Sequence, residues 1–191
     1  MKKIIIAIDS FKGCLTSAEA GKAAEKGIKS INPSCHTSVI PIADGGEGLL
    51  DVLITATKGK YITLSAHGPL MKMAKTHYGL SGNGRTAIIE MAAISGLPLV
   101  PIEQRNPMLT TTFGTGELIK DALNKGCRNF IIGIGGSATN DAGLGMLQAL
   151  GFRFLDKSGH TLGTGGQIME AVANIDTSGI HPALRETHFM V

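Results

Sequence analysis

Hydrophobic positions along this chain come in short runs separated by polar, glycine-rich stretches, and their period changes from run to run. Ile4-Ile5-Ile6-Ala7-Ile8 is continuous and largely β-branched, the pattern of a strand covered on both faces. After Asp9-Ser10-Phe11-Lys12-Gly13, Thr16 and Glu19 have the spacing of a capping box. Behind it Ala20, Ala24, Ile28 and Ile31 fall on one helical stripe that Asn32-Pro33 stops. A second strand over about 38–42 leads into Ala43-Asp44-Gly45-Gly46-Glu47-Gly48, and Leu49, Leu50, Leu53 and Ile54 then share a helix face. Strand, loop and helix in alternation build a parallel sheet.

The middle of the chain reads differently. His67-Gly68-Pro69 is a turn, and strands over 73–80 and 86–91 joined by Ser81-Gly82-Asn83-Gly84 predict a hairpin, because Asn-Gly accepts positive φ. A Pro-punctuated loop over 96–107 precedes a helix carrying Leu118, Ile119, Ala122 and Leu123, with Gly126 at the position of a C′ glycine. A third unit follows: a strand over 130–134, a glycine loop, a helix face of Leu144, Leu147 and Leu150 ended by Gly151, and a strand over 152–155. The chain finishes in a strand over 187–191, which predicts truncation. The expected fold class is α/β, a mostly parallel sheet with Rossmann-like βα units plus a second α/β region containing a β-hairpin. The expected division is a Rossmann-like part over 1–66, completed by a C-terminal segment beyond this chain, and part of a second α/β domain over 67–191, cut at residue 191.

Composition narrows the function classes. With 43% hydrophobic and 17% charged residues the chain is too apolar for disorder. A net charge of +3, six Phe, two Tyr and no Trp argue against a nucleic-acid partner. Cys14, Cys35 and Cys127 form no C-x-x-C, so neither a disulfide framework nor a Cys-based zinc site is expected. No apolar run approaches the roughly 20 residues of a membrane span, and the run 4–8 is too short for a signal-peptide core. A cytoplasmic location is expected. Glycine is the outlier: 26 of 191 residues, about twice the usual share, clustered in loops that follow strands.

Those loops carry the chemistry. Parallel sheets bind ligands at the carboxyl ends of their strands, and glycine loops entering helices offer backbone N–H groups to anions. The Walker pattern is absent, since Gly21-Lys22 and Gly59-Lys60 lack both the upstream Gly and a following Ser or Thr. Gly133-x-Gly135-x-x-Ala138, with Asp156 after the next strand, fits a dinucleotide fingerprint and gives an NAD(P)-dependent oxidoreductase as the alternative. Against it, Asn140 and Asp141 stand where a pyrophosphate would sit, and two other loops are left without a task. A phosphoryl-transfer site uses more of the sequence, because it needs a phosphate cradle, a cation and carboxylates for Mg²⁺ or for the acceptor's proton. Gly135, Gly136 and Ser137 supply a cradle, Lys12 a cation, and Asp9, Asp44, Glu47 and Asp141 the carboxylates. Each carboxylate could equally cap a helix.

Taken in order, Asp9-Ser10-Phe11-Lys12-Gly13, Ala43-Asp44-Gly45-Gly46-Glu47-Gly48, Glu90-Met91-Ala92, Arg105-Asn106-Pro107, Thr111-Thr112-Phe113-Gly114-Thr115-Gly116-Glu117-Leu118-Ile119 and Gly133-Ile134-Gly135-Gly136-Ser137-Ala138-Thr139-Asn140-Asp141 closely resemble the bacterial glycerate kinases built on neither a P-loop nor a sugar-kinase fold. The likeness runs from about residue 4 to the last residue, departing mildly at Cys14, where Ser is common, and at Phe113, where Tyr is. It implies ATP-dependent phosphorylation of D-glycerate, commonly to 2-phosphoglycerate, with Mg²⁺, in a cleft between two α/β domains. It also implies a small-molecule substrate, no nucleic acid and no membrane, allows a homodimer, and makes this chain similar to an N-terminal half. The residues expected to be catalytic are Lys12, Asp44 and Asp141, with Asp44 or Asp141 as the base or as a Mg²⁺ ligand. Asp9, Ser10, Gly45, Gly46, Arg105, Thr111, Thr112, Gly114, Gly135, Gly136, Ser137 and Asn140 bind substrate or phosphate, and Asp44 and Glu47 hold the metal. Arg105 could pair bidentately with the glycerate carboxylate or make a structural salt bridge. A third reading is a fragment that is silent without its other half.

Overall fold

A computed structural model describes residues 3–11 and 13–191. Lys12, the expected cation, lies outside the described residues. The elements in chain order are β1 (Lys3–Ile8), α1 (Ser17–Ile31), β2 (His36–Pro41), α2 (Leu49–Thr57), β3 (Lys60–His67), β4 (Met73–Leu80), β5 (Thr86–Glu90), α3 (Ala92–Ser95), α4 (Phe113–Asn124), β6 (Asn129–Gly133), α5 (Leu144–Ala149), β7 (Arg153–Leu155), β8 (Asn174–Asp176) and β9 (His188–Met190).

β1 and β2 pair in parallel, Lys3 opposite His36, with α1 across one face. The capping box forms: Glu19 N–H donates to Thr16 Oγ1 at 3.2 Å, and Thr16 N–H donates to the Glu19 carboxylate at 2.9 Å. Gly21 lets the helix down onto β2, for a Cβ there would stand 2.4 Å from Val39 Cγ1. The buried residues of α1 are Ser17, Ala20 and Gly21, all in its first turns. Ile31, predicted on the same stripe, is 89% exposed. The two-sided cover predicted for β1 is also not met among the described residues. Ile5 is 59% exposed, because α1 packs against only one face of this two-stranded sheet.

The second sheet has the order β3-β4-β5-β6-β9. Its β3–β4 and β4–β5 pairs are antiparallel, and β5–β6 and β6–β9 are parallel. The predicted hairpin is β4–β5, closed by Gly84 at φ +69° and by Asn83 Oδ1, which accepts from Arg85 N–H at 3.0 Å. β3, without a prediction from the sequence, is an edge strand of this sheet although it lies almost wholly within 1–66. Alternate residues of the central strands face opposite ways. Ala87, Ile89, Phe130 and Ile132 are buried with Leu118, Ile119, Ala122 and Leu123 of α4. Ile88 instead packs with Leu50 and Ile54 of α2. The sheet is thus covered by α4 on one face and α2 on the other, and the helix starts gather near the carboxyl ends of β5 and β6.

β7 does not continue the third βα unit as a parallel strand. It pairs antiparallel with β8 in a separate two-stranded sheet. This removes the βαβ context that the dinucleotide fingerprint requires. Asp156, expected on a ribose, instead accepts from the N–H groups of Ser158 at 2.8 Å and His160 at 2.9 Å within its own turn. The last strand, β9, lies parallel to β6, where Phe189 stacks on Phe130 with ring centroids 5.0 Å apart.

Candidate active site

Past the carboxyl ends of β1 and β2 lies a cleft of about 500 Å³. Ser17 ties those strand ends to α1: its hydroxyl donates to Ile8 O at 2.6 Å and accepts from Ile42 N–H at 3.1 Å. Asp9 and Ser10 form one wall of the cleft, and Glu47, Asp51, His77 and Glu90 contribute to the other. Asp9 Oδ1 accepts from Ser10 N–H at 2.6 Å, which holds the carboxylate against its own loop.

The loop between β2 and α2 turns at Gly45 (φ +87°) and Gly48 (φ +93°), conformations that side chains disfavour. Its exposed Asp44 accepts from Gly46 N–H at 3.0 Å. The loop after β6 meets it backbone to backbone. Gly135 N–H donates to Gly45 O at 3.3 Å, and a Cβ on Gly135 would lie 2.7 Å from Gly46 Cα. Close approach is therefore one task of these glycines, and it takes the Gly135 amide away from any phosphate cradle. The Ala138 amide is also engaged, donating to Ser95 O at 2.9 Å. Among the described residues the amides of Gly136 and Ser137 make no backbone hydrogen bond. The Ser137 hydroxyl shares a hydrogen bond with Thr139 Oγ1 at 2.8 Å, and Asn140 is exposed beyond it.

Arg105 stands apart from the cleft. With Ser137 and Thr139 it lines a hollow of about 250 Å³ that shares no residue with the larger cleft. Its Nε–H donates to Val100 O at 3.2 Å.

Asp141, Thr111, Thr112 and Gly114 form a buried cluster instead of a ligand-facing surface. Asp141 is 1% exposed. It accepts from the N–H groups of Thr112 (2.9 Å), Gly143 (3.1 Å) and Gly145 (3.1 Å) and from the hydroxyls of Thr111 (3.2 Å) and Thr112 (3.0 Å). One carboxylate thereby caps the starts of α4 and α5, neither of which has a side-chain cap at its own N-cap residue. The capping alternative describes Asp141 in this structure, and its oxygens are spent within the protein. Gly114 lies against β3, where a Cβ would come within 1.9 Å of His67 O. The Thr111 and Thr112 hydroxyls are engaged within this cluster.

Asp51 and His77 enter the cleft wall without a motif of their own, and Glu90, from the Glu90-Met91-Ala92 block, enters it without an expected role. The signal for Glu90 was its place at the end of a predicted strand. Burial raises its carboxyl pKa, against hydrogen bonds from the amides of Leu50, Gly48 and Leu49 that lower it. Tyr61 donates its hydroxyl to Asp51, and that bond, more than burial, pushes the phenol up to about 12. Among the described residues no three His, Cys, Asp or Glu side chains gather as a metal cage. No described helix is long and apolar enough to cross a membrane.

Comparison with known proteins bears on the family and the fold. The model of the glycerate kinase family matches residues 4–191. A glycerate kinase of Bacillus subtilis (strain 168) is 52% identical over 189 residues, covering 99% of this chain and 50% of the relative. A glycerate 2-kinase of Escherichia coli (strain K12) is 49% identical over 184 residues, covering 96% of this chain and 48% of the relative. The crystal structure of a glycerate kinase 2 candidate from Salmonella typhimurium LT2 superposes with a TM-score of 0.87 at 47% identity, over 98% of this chain and 50% of that one. The chain spans about half the length of the curated relatives it matches. With a family match over nearly every residue, the chain belongs to the glycerate kinase family.

Proposed function

We propose that the protein phosphorylates D-glycerate from ATP to give phosphoglycerate, with the 2-hydroxyl as acceptor. The observation that carries this reading is the junction of the two glycine loops, Gly135 N–H on Gly45 O, between an acidic cleft and the hollow of Arg105. Arg105 binds the glycerate carboxylate, and the amides of Gly136 and Ser137 meet the phosphoryl group in transfer. Ser10, at the cleft wall, contacts nucleotide phosphate. Asp44, at the junction, takes the proton of the glycerate hydroxyl as that oxygen bonds to the γ-phosphorus. The bond from phosphorus to the β–γ bridging oxygen breaks, and ADP leaves. A positioned base of this kind contributes about 10²–10⁴-fold.

Mg²⁺ is bound through one or two carboxylates plus substrate phosphates more often than by an all-protein cage. The donor set fits, since Asp9 and Glu47 line the cleft together. They would hold the ion, which supplies neutralising charge to the phosphates. Asp141 serves by positioning the starts of α4 and α5. A donor such as ATP suits a cytoplasmic protein. The domain organisation belongs to the same proposal: a further segment, of the kind the longer relatives carry, covers the open face of Ile5 and completes the part built on β1, α1 and β2.

An ADP-release assay with MgATP decides the reading, using the protein as its gene encodes it. D-Glycerate should stimulate release while glycerol and lactate do not. Equal release with and without glycerate would overturn the proposal.

A further inference from the structure

The two glycine loops are joined a second time, by the segment that follows β5. Met91 N–H donates to Gly133 O, Leu97 N–H to Gly136 O, and Ala138 N–H to Ser95 O, each at 2.9 Å. Residues 91–97 thus run as a strap along the loop after β6. Glu90, just before the strap, reaches the opposite way, and its Oε1 accepts from Leu50 N–H at 3.4 Å in the first turn of α2. That helix begins at Gly48, which has no side chain to cap it. Free amides at a helix start need an acceptor, and a carboxylate there also gains from the helix dipole.

We propose that Glu90 is a positioning residue for phosphoryl transfer. By capping α2 from the end of β5, it holds the loop over 43–48, and with it Asp44 and Glu47, in register with the loop after β6. Glu90 works through its acceptor oxygen on the helix start and does not take the substrate's proton. The proposal rests on the kinase reading above, and its test separates the two.

Glu90→Ala and Glu90→Gln are compared with wild type, in the protein as its gene encodes it, by steady-state kinetics and by hydrogen–deuterium exchange over 44–52. Glu90→Ala should lower kcat by about 10²-fold, the order that follows a small misplacement of catalytic groups. Its KM for glycerate should stay within about threefold, because ground-state binding is not what is lost. Exchange over 44–52 should quicken. Glu90→Gln keeps an acceptor oxygen and should recover most of the lost kcat and the slow exchange. Wild-type kcat and exchange in Glu90→Ala would overturn the proposal. So would a Glu90→Gln variant as slow as Glu90→Ala with undisturbed exchange, which would make the charge or a proton the point. If Glu90→Ala does not fold, exchange over 44–52 in Glu90→Gln decides alone, fast exchange counting against the proposal. If wild type releases no ADP, the kinase reading fails, and exchange in the two variants still shows whether Glu90 holds the loop.

Discussion

Replacing Asp141 with Ala should cost stability first and turnover second. The side chain is 1% exposed and accepts from three backbone amides, those of Thr112, Gly143 and Gly145. Its two hydroxyl donors can rotate and keep a bond each as acceptors, Thr111 Oγ1 from Phe113 N–H and Thr112 Oγ1 from Met146 N–H. The amides have none. A buried donor left unpaired costs about 1–3 kcal/mol, so three give roughly 3–5 kcal/mol after partial relaxation. Relaxation is limited at Gly145, where a Cβ would already lie 2.0 Å from Thr111 Oγ1, and easier at half-buried Gly143. Against a usual stability of about 5–15 kcal/mol this is a large fraction. At about 2–4 °C per kcal/mol in a chain of this size, the midpoint should fall by roughly 10 °C. Asp141→Asn, which keeps one acceptor oxygen, should fall between. Urea titration followed by circular dichroism measures the loss, and turnover per folded molecule is read well below the variant's midpoint. Unchanged stability with kcat down by about 10²-fold or more would refute the reasoning and put Asp141 in contact with substrate.

Asp44→Asn should lower kcat by about 10²–10⁴-fold while its urea midpoint stays near wild type, and near-normal turnover would remove Asp44 from the chemistry. Lys12→Ala, argued from sequence alone, should likewise depress turnover in the same assay. Gly116→Ala drives a Cβ to 2.2 Å from Met146 O between α4 and α5, so denaturation should show a loss of about 1–3 kcal/mol; wild-type stability would mean that the helices part freely. Glu90 binds its proton more tightly folded than unfolded, burial being the main cause. Its contribution is present below the usual 4.5 and is lost as pH rises through the higher folded value. Glu90→Gln should therefore gain on wild type as pH rises from the usual 4.5 through the higher folded value in paired urea titrations, and a pH-independent difference would contradict the raised value.

Much of the fold is legible in short stretches of sequence because the forces that set it act over short stretches. Thr16 and Glu19 cap α1 through bonds three residues long. Asn83 closes its hairpin locally, and Gly126 and Gly151 end their helices at φ +91° and +101°. The run 4–8 announces a strand, and the loops that follow strands announce where ligands bind. β3 goes unpredicted although Ile62, Leu64 and Ala66 alternate with Thr63, Ser65 and His67. The strand over 152–155 is legible, but only sheet pairing sets it apart as a ribbon with β8.

The site divides the same way. Sequence by itself determined the residue types: acidic and glycine-rich loops at strand ends, with enough motif order to reveal the family. It could not rank the carboxylates, because rank depends on burial and on donors far off in the chain. Asp141 looks as available as Asp44 until Thr112, 29 positions earlier, is folded against it. Glu90 looks like the end of a strand until Leu50, 40 positions earlier, presents its amide. Local chemistry is written in neighbours, whereas the contacts that make one carboxylate a strut and leave another exposed come from the order of strands in the sheet, which only the tertiary structure decides.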